Sequence, residues 1–110
     1  MSGRTHSPDK WVIVEMDNKG EKVQKILGGW SGGYLDGDSW KLSSGTLETE
    51  EEGDYFLFHQ HSGSTYKCHK RMQGLTALTG SMLSGWLEQI KDMEGVTMKI
   101  VEKIIEEEEE

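Results

Sequence analysis

Gly29-Trp30-Ser31-Gly32-Gly33 satisfies the pattern G-x-S-x-G. In serine hydrolases that spacing sets the nucleophile on a strained turn between a strand and a helix, with its hydroxyl lifted towards a histidine. The chemistry therefore needs a helix directly after the serine. Here the continuation YLDGDSW (34–40) is rich in turn residues and carries no helical apolar stripe. Asp36 and His59 follow Ser31 in the order of such a triad, but short chains supply that order by chance. The fold that uses this elbow also needs far more chain than 110 residues. No catalytic residue is expected, and the chain reads as a non-enzyme.

Other site chemistries fare no better. No lysine and hydroxyl pair follows Gly33, as a phosphate-binding P-loop requires, and no strand–glycine–helix unit holds these glycines as a dinucleotide fold would. Asp36 and Asp38 suggest calcium, yet the later ligands of a helix-flanked calcium loop are missing, so both read as turn formers. His59, His61 and His69 could share a zinc ion from the outer face of a hairpin. Against that, Lys67 falls opposite His59 in the expected register and no acidic neighbour is evident. No metal and no cofactor are expected.

Two features remain as candidate binding surfaces. Trp30 and Tyr34 stand among glycines, where rings on an adaptable segment offer large contact area at low side-chain entropy. The simpler account folds both rings back over a sheet. Ser31, Asp36 and Asp38 belong to the same segment, and backbone N–H groups of Gly28 to Gly33 could cradle an anion. Trp40, on a short strand, reads as core. The second feature is acidic. Glu50, Glu51 and Glu52 lie in a run from Glu48 to Asp54, and Glu106 to Glu110 form a tail. Most such runs are solvated faces; an active one would be drawn to a basic partner.

The elements that must carry these residues follow from pattern. KWVIVEM (10–16), the turn DNKG and EKVQKIL (21–27) make one hairpin. YFLFHQH and TYKCHKR make another around Ser62-Gly63-Ser64, with Phe56, Phe58, Tyr66 and Cys68 on one side and Phe58 opposite Cys68. LETEEEGD (47–54) is a strand end or loop. Leu75, Leu78, Met82, Trp86, Ile90 and Met93 mark the core side of a helix within 74–95, started by Thr76 or Thr79 and ended by Gly95. Its small residues, Gly80, Ser84 and Gly85 among them, would also let helices pack in a homodimer. VTMKIVEKII (96–105) reads as a last strand. Residues 1–9 form a flexible N-terminal arm, 10–105 a single domain and 106–110 an acidic tail. The expected class is α+β: a mainly antiparallel sheet of about five or six strands, with one long helix on one face.

Totals bound the function. Of a net charge of −8, five negatives lie in the tail, leaving −3 for the body, so direct nucleic-acid binding is disfavoured. A single cysteine, Cys68, and the lack of a secretory leader suggest a reducing, cytoplasmic setting. No apolar run reaches membrane-spanning length. The expectation is a small acidic interaction protein that binds a macromolecular partner, one form of it being an inhibitor that occupies a basic, nucleic-acid-binding surface. It is of the kind small phage accessory proteins provide. The alternative is a module that binds a nucleotide, sugar or peptide with the aromatic glycine segment 28–38.

Overall fold

In the computed structural model, residues 4–31 and 37–102 are described. Tyr34, Asp36 and Glu106 to Glu110 lie outside them. The elements run β1 (Thr5–His6), β2 (Lys10–Asn18), β3 (Glu21–Ser31), β4 (Asp38–Leu42), β5 (Thr46–Glu52), β6 (Tyr55–Gln60) and β7 (Thr65–His69). A short 3-10 turn (Lys70–Met72) leads to helix α1 (Ala77–Ile90), and β8 (Val96–Val101) closes the order. The chain is mixed α and β, largely sheet, as its alternation and single helical stripe require. The strands divide, however, into two four-stranded sheets, β1-β7-β6-β5 and β4-β3-β2-β8, in place of one sheet of five or six.

The reason lies in β2 and β3. Trp11 and Ile13 alternate with Val12 and Val14, so β2 is apolar on both faces and both must be covered. Trp11, Ile13 and Ile26 meet Phe56, Phe58, Tyr66 and Cys68 of the other sheet. Val12, Val14 and Leu27 meet Leu83 of α1. The result is three layers, with the β2–β3 sheet in the middle.

Both hairpins form. Lys19 and Gly20 turn β2 into β3 with φ of 54° and 96°, and Asp17 Oδ1 accepts from the Gly20 N–H at 2.9 Å. The mirror-image turn matches the twist of the flanking strands. In the second hairpin Phe56 pairs with Cys68 and Phe58 with Tyr66, two residues out from the expected register. The loop is His61-Ser62-Gly63, closed by the Gln60 N–H donating to the Ser64 carbonyl at 2.8 Å. A shift of two keeps every side chain on its face, which is why the four apolar residues still share the core.

Helix α1 begins at Thr76, whose hydroxyl accepts from the Thr79 N–H at 3.1 Å, while Thr79 Oγ1 accepts from the Thr76 N–H at 2.8 Å. Its covered side centres on Thr79 and Leu83, with Leu75 and Trp86 partly buried. The stripe expected through Met93 is thus turned slightly, and Met93, beyond the helix end, is 52% exposed. Gly95 does not cap the helix. It sits at φ 79° before β8, and its carbonyl accepts from the Lys19 N–H at 2.7 Å. No helix among the described residues is long and apolar enough to cross a membrane.

Candidate functional site

The glycine segment is not a loop where it is described. Gly28 pairs with Trp11 on one side and Lys41 on the other; Gly29 pairs with Lys10 and Trp40. Their role is close approach. A Cβ on Gly28 would lie 2.9 Å from Pro8 Cβ, and one on Gly29 would lie 2.9 Å from Thr76 Cγ2. One glycine therefore admits the N-terminal segment against one face of β3, and the next admits the start of α1 against the other. Gly28 and Gly29 lie in the middle of a sheet and the Ser31 N–H donates to Asp9 Oδ2 at 2.8 Å, while Gly32 and Gly33 of the same segment lie outside the described residues.

Ser31 ends β3, opposite Asp38, and alternation puts its side chain on the other face of the strand from Trp30. Ser31 is itself paired in the sheet, and the residues directly after it, 32–36, lie outside the described residues.

Residues 4–9, expected to fray, run as a strap across β3. Thr5 and His6 pair in parallel with Thr65 and Tyr66, Pro8 is buried, and the Asp9 N–H donates to the Gly29 carbonyl at 2.9 Å. Trp30 Nε1–H donates to the Ser7 carbonyl at 3.0 Å, which fixes the indole partly buried beneath the strap. Trp40 departs from its core assignment. Because β4 is the edge strand of its sheet among the described residues, the ring stays 39% exposed and packs edge-on against Trp86, centroids 5.4 Å apart.

Between the strap and β4 lies a cleft of about 600 Å³, walled by Thr5, His6, Trp30, Ser39, Trp40 and Lys41. His6 and Lys41 also wall a second cleft of about 280 Å³, which extends to Ser43, Ser44, Ser62, Ser64 and Tyr66. In a chain with 20 acidic residues, no Asp or Glu lines either cleft among the described residues. His6 stacks on Tyr66 with ring centroids 4.9 Å apart. Burial, then the positive charges of Lys41 and Arg4, lower its pKa below 6.5. Sequence reasoning missed His6 and Lys41, because neither stands in a motif; strand pairing alone puts them together.

Comparison with protein-family models, curated proteins and solved structures returns no match.

The histidines of the proposed zinc site are not assembled. His59 pairs with Thr65 rather than facing Lys67, and His69 pairs with Tyr55 at the far end of the hairpin, roughly 13 Å along the strand. His61 lies in the loop, its N–H donating to the Gly45 carbonyl at 2.8 Å. His59 does have an acidic neighbour, Glu50 Oε1 at 2.5 Å from Nε2, and its Nδ1 meets Thr65 Oγ1 at 3.0 Å. Among the described residues, no three His, Cys, Asp or Glu side chains could hold a metal ion. Cys68 is fully buried, and burial pushes its thiol pKa well up, so it is a core residue rather than a nucleophile.

The acidic run is an edge strand. In β5, Glu50 meets His59, and Glu51 is bridged to Lys70, whose ammonium also sits 5.3 Å from the centroid of the Phe56 ring. The pairing register shifts between Thr46 and Glu48, around the exposed Leu47. Charged side chains and a shifted register are what keep an open sheet edge from recruiting further strands.

Proposed function

We propose that this chain is a non-enzymatic binding protein whose working surface is the cleft between the strap and β4, and whose ligand is small and ring-bearing. The observation that carries this reading is the 600 Å³ cleft beside Trp30, on the side of β3 that the strap crosses. That volume suits a small molecule, and a half-buried indole supplies apolar contact to a ring. Trp30 is held by the strap, so the surface is largely formed before a ligand arrives.

The test is a thermal-shift screen against metabolites and nucleotides, repeated with Lys41→Ala, since Lys41 is exposed and lines the cleft from the strap side. A stabilising compound whose shift falls in the variant supports the reading. A screen without any shift, or one untouched by the substitution, overturns it.

A macromolecular partner with a basic surface remains the second reading, with inhibition of a nucleic-acid-binding protein as one form of it. The observation in its favour is the exposed Glu48 and Glu52 on an open edge. Its weakness is that Glu50 already meets His59 and Glu51 is bridged to Lys70, and edge protection accounts for the acidity. Co-purification of a partner with the native chain, lost on changing Glu50, Glu51 and Glu52 to lysine, would support it. Undiminished capture would remove the electrostatic argument.

A further inference from the structure

We infer that β8 is a self-association edge: it pairs antiparallel with β8 of a second copy, about a two-fold axis through Met98, and so joins two middle sheets into one. The inference stands apart from the ligand cleft, which opens beside β4 at the opposite edge of the same sheet.

Among the described residues, the two sheets end in four edge strands, and three of these are short or charged. β1 has two residues, β5 carries Glu48 to Glu52 and a shifted register, and β4 carries Asp38 and Lys41 within five residues. β8 differs. It runs six residues, VTMKIV, with no proline, no carboxylate and no shift in its pairing with β2. Its one charge, Lys99, lies 3.7 Å from Glu15 of β2, the strand behind it. An apolar edge left in this state invites a further strand.

The backbone says where that strand docks. The Trp11 carbonyl accepts from the Gly74 N–H at 2.8 Å on the side of β2 away from β3, and the Lys19 N–H donates to the Gly95 carbonyl at 2.7 Å. Alternation from these two points turns the N–H and C=O groups of Thr97, Lys99 and Val101 towards β2. Those of Val96, Met98 and Ile100 face outward, where no described strand meets them. Their spacing is symmetric about Met98. A two-fold axis there sets Met98 against its own copy and Val96 against Ile100, so every outward pair exchanges hydrogen bonds, and Lys99 faces Thr97. An axis through Lys99 would set two ammoniums directly opposite each other. One through Thr97 would run Ile100 past the start of the other strand.

Side chains point to a second copy as the occupant. Met98 and Ile100 pair with Met16 and Val14, which pack with Leu83, so both project on the helix side of the sheet. On α1, Trp86 leans towards β4 through its contact with Trp40. Leu87 comes about 100° further round and falls on the other flank of Leu83, towards β8. Leu87 and Ile100 are exposed, as is Met93 in the turn that enters β8. The two-fold axis stands perpendicular to the sheet and keeps both helices on one side, so this apolar flank meets its counterpart and both leave water. An unrelated strand would supply backbone pairing without that match.

The test is sedimentation equilibrium of the full chain over a wide range of concentration. A reversible equilibrium is expected, reaching twice the mass of one chain at the upper end. Ile100→Pro removes only an outward N–H, which a sheet edge tolerates, and should be monomeric throughout, with circular dichroism checking the fold. Ile100→Lys keeps the backbone pattern and should loosen the dimer by roughly tenfold or more, because it sets an ammonium against Val96 of the second copy. Met98→Cys should join its own copy on mild oxidation or with a short thiol cross-linker, since directly paired Cα atoms lie about 5.5 Å apart. Ile100→Cys, roughly 13 Å from its own copy along the strand, should not. Cys68 is buried and takes no part. A chain that stays monomeric at every concentration would overturn the inference, as would a dimer untouched by both Ile100 substitutions. A dimer that cross-links through Ile100→Cys in place of Met98→Cys would overturn the register.

Discussion

Trp11 Nε1–H donates to the carbonyl oxygen of His69 at 2.7 Å, joining the middle strand of one sheet to the end of a strand in the other. The indole is fully buried and touches both Phe56 and Phe58, with centroids 6.0 and 5.3 Å away. Trp11→Ala should cost about 3–5 kcal/mol from lost packing. Trp11→Phe keeps much of the packing but strands the carbonyl, at a cost of about 1–3 kcal/mol. Urea unfolding followed by circular dichroism measures both. A Trp11→Phe protein as stable as the parent would show that the hydrogen bond does not hold the sheets together.

Gly29 governs how closely α1 approaches β3. Gly29→Ala would force its methyl against Thr76 Cγ2 at 2.9 Å and Thr79 Cγ2 at 3.0 Å, a fault of overpacking worth about 1–3 kcal/mol. Adding Thr76→Ser removes one of the two opposing methyls while keeping a capping hydroxyl, and should restore part of the loss. An unaltered melting temperature for Gly29→Ala would mean that the helix yields freely at this point.

Alkaline pH should unfold the protein before neutral pH does. Burial raises the Cys68 thiol above its ordinary 9.0, and burial followed by the neighbouring Cys68 pushes Tyr66 from 10.0 up to about 12. Both groups stay protonated in the folded chain at a pH where the unfolded chain ionises them. Stability is therefore complete below about pH 9 and falls as pH rises through 9 to 12, where the unfolded state binds fewer protons. Cys68→Ser replaces the thiol by a group that does not titrate in this range, and should flatten the first part of that fall. Urea midpoints at pH 7, 9 and 10 read the effect, and equal slopes for parent and variant would refute it.

Ser31 should not react with a fluorophosphonate probe, and Ser31→Ala should leave ligand binding unchanged. Its structural hydrogen bond comes from the backbone N–H, which alanine retains. Labelling of Ser31 would contradict the non-enzymatic reading directly.

What the sequence determined by itself was the local character of each segment. Period-two alternation in YFLFHQ and TYKCH put Phe56, Phe58, Tyr66 and Cys68 on one face, and that survived a register two residues off because such a shift preserves faces. DNKG turned, Thr76 capped, and the helical stripe was visible around Trp86. The tertiary structure alone decided what lay next to what. Sequence patterns do not record sheet neighbours. Trp40 could not be known to sit on an edge, Glu48 to Glu52 to guard one, or Thr5 and His6 to pair with β7. Gly28 and Gly29 look alike as loop glycines and as close-contact glycines, since both uses need only a missing Cβ. The cleft shares that origin: His6 and Lys41 belong to different sheets and face one solvent-filled space only because the strap crosses β3 on its way into the fold.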